Sequence, residues 1–145
     1  MIMDVLVDNT VAKNFCYPAD EHYKAFIKWL FDSGVLVVTR SLLNEYTATC
    51  ATSSSNTSMP AIIGHLMQQR RLTKFSKSTL QAFRFTASFQ RSLRSNRKDH
   101  DNIKAVMLSI RKYALSHDDD FRHDVNNCPG HSARAEQRPQ DLPYA

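Results

Sequence analysis

The chain has 145 residues, 42% of them hydrophobic and 23% charged, which excludes a disordered or fibrous protein and allows one domain with a buried core. The formal net charge of +5 favours an acidic partner. No run approaches the roughly 20 apolar residues of a membrane-spanning helix, and the first residues lack a signal-peptide pattern, so we predict a cytoplasmic protein without membrane contact.

The first elements predict a buried strand followed by two helices. An apolar run at residues 3–7 predicts the strand, and Asp8 follows it directly. Thr10 is the expected N-cap of a first helix that ends near Tyr17. Asp20 then begins a second helix. The apolar residues of that helix recur at helical spacing: Tyr23, Phe26, Ile27, Leu30 and Phe31.

A second strand and a third helix complete the first unit. The β-branched run at residues 35–38 predicts a strand buried on both faces of a parallel sheet. Strand, helix and strand in this order form a βαβ unit with a right-handed crossover. Ser41 is the expected cap of the next helix, and Glu45 lies about one turn into it, where its side chain can point back toward the strand ends. Residues 49–58 have the composition of a loop.

The second half predicts further helices and a third strand. A helix begins at Pro60, and a longer one covers residues 76–93. Asp99 begins another helix, and residues 113–116 form a strand that leads to Asp118. From Asn126 onward the chain is polar, which predicts one folded domain over residues 1–125 and a loosely held tail over residues 126–145.

Positive charge is concentrated in one segment. No Asp or Glu occurs between Tyr46 and Lys98, which suits a polyanionic partner such as a nucleic acid, although a solvated helix face is the alternative interpretation. The candidate RNA-binding residues are Arg70, Arg71, Lys74, Lys77, Arg84, Arg91, Arg94, Arg97 and Lys98. The phenylalanines interleaved with these arginines could stack on unpaired bases, but the spacing favours a core stripe.

Several common chemistries have no motif here. With three glycines, the chain contains neither a P-loop nor a dinucleotide-binding fingerprint. Its six histidines include no H-E-x-x-H pair, and no G-x-S-x-G nucleophile elbow occurs. The three cysteines, Cys16, Cys50 and Cys128, have no paired spacing, which argues against disulfides and a zinc site.

Four acids remain, each placed where a strand or helix begins or ends: Asp8, Glu45, Asp99 and Asp118. Such acids at the carboxyl ends of parallel strands converge on the ligand crevice, and carboxylates prefer Mg²⁺ or Mn²⁺ to zinc. Without a cation the cluster repels itself, so at least one carboxyl should have a raised pKa. Taken singly, each acid also has a structural interpretation as a cap, a turn residue or a solvated charge.

The order and surroundings of these acids resemble the PIN-domain family, specifically its small VapC-type toxin ribonucleases. The resemblance covers residues 3–124 and is carried by four segments. They are Val-Leu-Val-Asp8-Asn-Thr, Gly34-Val-Leu-Val-Val with Ser41-Leu-Leu-Asn-Glu45-Tyr, Lys98-Asp99-His-Asp-Asn-Ile-Lys-Ala, and Leu115-Ser-His-Asp118-Asp119.

The resemblance implies a three-layer α/β/α sandwich with a short parallel sheet, and Mg²⁺- or Mn²⁺-dependent cleavage of single-stranded RNA. Asp8, Glu45, Asp99 and Asp118 match the family's acidic ligands. Asp101 is an alternative to Asp99 as the third acidic ligand. Asp99 is preferred because Ile103 and Ala105 then match apolar positions of the family's helix. Asp119 and Asp120 are alternates to Asp118. A final strand is not apparent in the polar tail.

The resemblance also implies a toxin with a cognate antitoxin and a homodimer. The antitoxin would cover the crevice or the basic helices, and the exposed part of segment 83–93 is one candidate surface. Two alternatives remain open: a catalytically weak PIN-like module that binds RNA or protein, and a phosphatase acting on small phosphate esters. The phosphatase is disfavoured because no second Asp lies two residues after Asp8.

Overall fold

The computed structural model describes residues 1–16, 18–50 and 55–145. The strands in these ranges are β1 Asp4–Val7, β2 Val35–Val38, β3 Leu72–Lys74, β4 Tyr113–Leu115 and β5 Arg134–Glu136. The helices there are α1 Asn9–Ala12, α2 Glu21–Asp32, α3 Arg40–Cys50, α4 Met59–Gln68, α5 Lys77–Ala82, α6 Ala87–Ser92, α7 His100–Leu108 and α8 Asp119–Asn126. The predicted α/β sandwich with a parallel sheet is confirmed.

The strands form one sheet in the order β3-β2-β1-β4-β5, and every pairing is parallel. The chain builds outward from the central β1 through β2 to β3, and then returns to the other side of β1 for β4 and β5. The direction of winding therefore reverses between β1 and β4. In open parallel sheets, the crevice at the carboxyl ends of such strands is where ligands bind.

The core follows from the strand sequences. Val5, Leu6 and Val7 of β1 are fully buried, as expected for a strand with helices on both faces. Phe26 and Leu30 cover the sheet from α2, and both are also fully buried. Among the described residues, no helix is long and apolar enough to cross a bilayer.

Local capping differs from the sequence prediction at two helices. Thr10 lies inside the short α1 rather than before it. The predicted length of that helix is wrong, because α1 ends at Ala12; Tyr17 itself lies outside the described residues. Thr39, not Ser41, caps α3, because its Oγ1 accepts a hydrogen bond from the Leu42 amide at 3.1 Å. The predicted start of α2 is confirmed, since the Asp20 carboxylate accepts bonds from two amides of the first turn.

The predicted helix over residues 76–93 is wrong in one respect, because two short helices occupy it. The chain is extended at Phe83, and Thr86 then caps α6 by accepting a bond from the Phe89 amide at 3.2 Å. Apolar spacing continues through this break, so periodicity did not reveal it. Strand β3 was also missed, because its three residues are partly polar and none is fully buried.

The polar segment 126–145 contributes the fifth strand, so the prediction that no final strand occurs there is wrong. Strand β5 pairs with β4, and its central Ala135 exchanges hydrogen bonds with the Asn126 side chain at 2.8 and 3.2 Å. Only Ala135 of this strand is buried, which left no hydrophobic signal in the sequence. Farther on, Leu142 is buried and Tyr144 packs on Phe26.

Candidate active site

Asp8 lies at the point where the winding of the sheet reverses. Its amide donates to the carbonyl of Leu115 at 2.9 Å, which joins the ends of β1 and β4. Its carboxylate Oδ2 accepts bonds from the hydroxyls of Thr10 at 2.6 Å and Ser116 at 2.8 Å. The Oδ1 atom accepts none from the described residues. Asp8 is buried. Its Oδ2 atom fixes the orientation of the carboxylate, and its Oδ1 atom is available to a ligand.

Asp118 approaches the same crevice from the end of β4. Its amide donates to Ser116 Oγ at 3.0 Å, so the hydroxyl that orients Asp8 also positions Asp118. Its Oδ1 caps α8 by accepting bonds from the amides of Asp120 and Phe121. The capping interpretation of Asp118 is thus correct, and it leaves Oδ2 without a hydrogen bond from the described residues. A cap and a ligand are compatible here.

Glu45 enters the crevice from α3. The neighbouring Tyr46 is buried and its hydroxyl donates to the carbonyl of Val7, which fixes this turn of α3 against the end of β1. Glu45 itself is half-buried. Burial raises the pKa of its carboxyl, and the charges of Asp8 and Asp99 raise it further, while Lys98 opposes them.

Asp99 ends a short 3-10 helix over residues 97–99 and precedes α7. Its side chain makes no capping hydrogen bond, so the cap interpretation does not describe this residue. Burial raises the pKa of its carboxyl, and the charges of Asp8 and Asp118 add to the effect, opposed by Lys98 and His100. The charges of Asp8 and Asp118 therefore act on Asp99, and its side chain accepts no capping hydrogen bond from the described residues.

The four predicted acids lie on the side of the sheet where the parallel strands have their carboxyl ends, and they act on one another through their charges. The expectation of a raised carboxyl pKa holds for Glu45 and Asp99, although burial contributes more than repulsion. Within the described ranges, no group of three or more His, Cys, Asp or Glu side chains is arranged closely enough to hold a metal ion by itself.

These oxygens nevertheless suit a divalent cation. Magnesium is commonly held through one or two carboxylates, with waters and substrate phosphates completing its shell. Asp8 Oδ1 and Asp118 Oδ2 carry no hydrogen bond from the described residues, and a cation near them would relieve the repulsion that raises the pKa of Asp99. The donor set is all oxygen, which fits Mg²⁺ or Mn²⁺.

The alternate acids lie elsewhere. Asp101 lines a hollow with Thr39, Arg40 and Lys77 rather than joining the other acids. Asp119 is exposed and pairs with Arg122, whose guanidinium also donates to the Ser116 carbonyl at 2.8 Å. Asp120 is exposed as well. The geometry therefore favours Asp99 over Asp101 and Asp118 over its neighbours.

The predicted basic residues divide into three groups. Lys77, Arg84, Arg97 and Lys98 line two adjoining grooves, and the charge of Lys98 acts on the carboxyls of Glu45 and Asp99. Arg71 has a structural role, because its guanidinium donates to three carbonyls at the end of α2, those of Leu30, Phe31 and Gly34. The remaining four are exposed but do not line these grooves. They are Arg70, Lys74, Arg91 and Arg94.

Sequence reasoning missed several residues that build the site. Ser116 directly follows β4, just as Asp8 directly follows β1. This equivalent position in the sequence was the signal that could have identified Ser116 as a site residue. Buried Asp124 accepts the amides of Arg94 and Ser95, at 2.8 to 3.1 Å, and so anchors the segment that leads to Asp99. Its position on α8, with no motif around it, gave no indication of this role.

Two histidines border the acids. His117 bonds through Nε2 to the Tyr23 hydroxyl at 2.9 Å, and burial lowers its pKa, as do the cations of Lys13 and Arg122. His100 contacts the Ser95 carbonyl at 3.3 Å. Both side chains are thus occupied by protein partners.

No protein-family model matches the chain, and no curated protein is significantly similar to it.

Proposed function

We propose that this protein is a metal-dependent endoribonuclease that hydrolyses phosphodiester bonds of single-stranded RNA with Mg²⁺ or Mn²⁺. The observation that carries the proposal is the position of Asp8. It is held by Ser116 across the reversal point of a parallel sheet, with one carboxylate oxygen left available, and it acts electrostatically on Glu45 and Asp99.

The residues around the crevice have separate tasks in this proposal. Asp8 and Asp118 would hold the cation through their available oxygens, and Glu45 and Asp99 would hold its waters or the attacking water. The bound cation would lower the pKa of a water and stabilise charge on the scissile phosphate. Thr10 and Ser116 keep Asp8 oriented through their hydroxyls. The cations beside Asp99 would attract the RNA backbone.

The experiment is cleavage of single-stranded RNA by the purified chain with Mg²⁺ or Mn²⁺, and with EDTA as the metal-free control. Asp8→Asn and Asp99→Asn should each lower the rate at least about 100-fold, because each removes a charge at the metal site. Asp120→Asn is the matched control, because Asp120 is exposed and lies outside the crevice, and it should retain the wild-type rate within a few fold. Full activity of Asp8→Asn, or equal loss in the Asp99 and Asp120 variants, would refute the assignment.

The biological setting follows the family resemblance rather than the geometry. The proposed role is the toxin of a toxin-antitoxin pair, acting in the cytoplasm as a monomer or homodimer, with a cognate antitoxin protein as partner. Co-expression with the gene adjacent to its own tests this role, since an antitoxin should restore growth that the wild-type chain arrests and Asp8→Asn does not.

A second candidate is a module that binds RNA without cleaving it. It is favoured by the absence, in the described part of the chain, of three closely grouped ligand side chains. Such a module would bind RNA in a salt-sensitive manner and equally well with and without chelator. The cleavage experiment separates the two candidates.

A further inference from the structure

Three adjoining hollows form a continuous groove along α3, α5, α6 and α7. The first lies between Arg40 and Asp101, and the second shares Ser41, Lys77 and Asp101 with it. The third shares Gln81, Gln90 and Lys104 with the second. Their volumes are about 420, 620 and 630 Å³, each within the range of ligand sites. The shared lining residues make them one path, which we call the α5–α7 groove.

The α5–α7 groove is basic, and its Lys98 and His100 lie close enough to Asp99 for their charges to act on that carboxyl. Its lining contains six cationic side chains and one carboxylate, that of Asp101. The cations are Arg40, Lys77, Arg84, Arg97, Lys98 and Lys104. Lys98 and His100, which flank Asp99 in the chain, line its middle part, and Asn44 beside Glu45 lines its first part. The charge of Lys98 acts on both Glu45 and Asp99, so a polyanion bound at Lys98 would lie beside these carboxylates.

The far end of the groove carries aromatic rings. Phe83 and Phe85 are half-buried and line the third hollow. The Phe85 ring meets Phe89 at 5.1 Å and Phe83 at 5.5 Å between centroids, both edge to face, so buried Phe89 fixes its orientation. Lys104 Nζ lies 5.7 Å from the Phe85 centroid. An aromatic surface and a cation thus occur at one place, the pairing that holds a base together with its phosphate.

We propose that the α5–α7 groove binds one unpaired RNA strand, with phosphates along Lys77 and Lys104 and a base stacked on the Phe83–Phe85 aromatic pair. The identity of the strand as RNA rests on the proposed function. The preference for an unpaired strand rests on the rings, because bases within a duplex are stacked on each other and cannot reach a side chain.

The test uses the full chain with Asp8→Asn, so that bound RNA stays intact. A single-stranded oligoribonucleotide carrying 2-aminopurine should lose fluorescence on binding, because stacking on an aromatic ring quenches the probe. Phe85→Leu keeps an apolar side chain against Phe89, and it should remove this quenching and weaken binding about tenfold. Phe85→Trp should restore both, which separates stacking from a folding defect.

The phosphate contacts have their own readout. Lys77→Gln and Lys104→Gln should each reduce the slope of log affinity against log salt by about 0.7. Lys28→Gln is the matched control, since Lys28 lies on α2 with a side chain 78% exposed, and it should leave the slope unchanged. Unchanged quenching in Phe85→Leu, tighter binding of a duplex, or equal slopes in all three lysine variants would overturn the proposal.

Failure of the groove proposal can be distinguished from failure of the nuclease proposal. If the wild-type chain cleaves RNA but the groove variants bind normally, the nuclease proposal stands and the groove proposal fails. If the groove variants lose binding and the wild-type chain cleaves nothing, the groove proposal stands and the nuclease proposal fails.

Discussion

At the scale of single residues, the structure separates two kinds of buried carboxylate. Asp4 and Asp124 are almost fully buried, and their oxygens accept backbone amides. Asp8 is bound by hydroxyls through one oxygen only, and Asp99 makes no capping bond. A carboxylate whose oxygens are satisfied by the backbone supports the fold, whereas one with an available oxygen beside other acids suits a ligand.

The raised pKa of Asp99 predicts a stability effect that depends on pH. A carboxyl whose pKa is raised by folding favours the folded state only when protonated, so this contribution is present below the unfolded value near 3.8 and is lost as the pH rises through the raised folded pKa. In EDTA at neutral pH, Asp99→Asn should therefore melt at a higher temperature than the wild type. The difference should disappear as the pH falls toward 3.8.

Magnesium supplies the control for this prediction. A cation at the acids should raise the melting temperature of the wild-type chain and of Asp101→Asn, and it should raise that of Asp99→Asn less. Thermal melts monitored by circular dichroism, with and without Mg²⁺, measure both effects. An Asp99→Asn chain that is less stable than wild type at neutral pH would show that the carboxylate has a structural role.

At the scale of elements, the site depends on connections that hold loops against the sheet. Tyr46 ties α3 to the end of β1, and Thr39 joins the cap of α3 to α7 by donating to Asn102 Oδ1 at 2.6 Å. Asp124 of α8 holds the segment before the 3-10 helix that carries Asp99. Each connection links residues more than 25 positions apart, so none could be read from local periodicity.

Replacing Asp124 tests this arrangement. Asp124→Asn would replace one charged acceptor oxygen with an NH2 donor that faces the Arg94 amide, and we expect a loss of about 3 kcal/mol in the free energy of unfolding. Asp120→Asn, an exposed acid on the same helix, should cost less than about 1 kcal/mol. Urea unfolding curves measure both. If the two variants are equally stable, the Asp124 carboxylate does not anchor the segment.

At the scale of the whole molecule, the C-terminal segment is part of the sheet. Strand β5 forms one edge of it, and the Tyr144 ring lies 4.8 Å from Phe26 and 4.9 Å from Trp29 between centroids. The segment also brings Arg138 and Pro139 beside His117 and Tyr23. The segment therefore packs against α2 and borders one side of the acid crevice.

Tyr144→Ala tests whether this segment stabilises the domain. The substitution removes two aromatic contacts and apolar burial, and it should lower the free energy of unfolding by about 2 kcal/mol. Tyr144→Phe keeps the ring and should be within about 0.5 kcal/mol of the wild type. Chemical unfolding measures both. If Tyr144→Ala is as stable as the wild type, residues 126–145 are loosely held, as their composition predicts.

The sequence by itself determined the α/β class and strands β1, β2 and β4, and it predicted the four acids, because short apolar runs and the acids near them are local features. Only the tertiary structure decided the short strands β3 and β5, the break between α5 and α6, and the roles of Arg71 and Asp124. The two strands and the two side-chain roles depend on hydrogen bonds between distant residues, and the break at Phe83 lies within a continuous apolar pattern. The tertiary structure also favoured Asp99 over Asp101, because residues two positions apart on a helix point in different directions and only one faces Asp8.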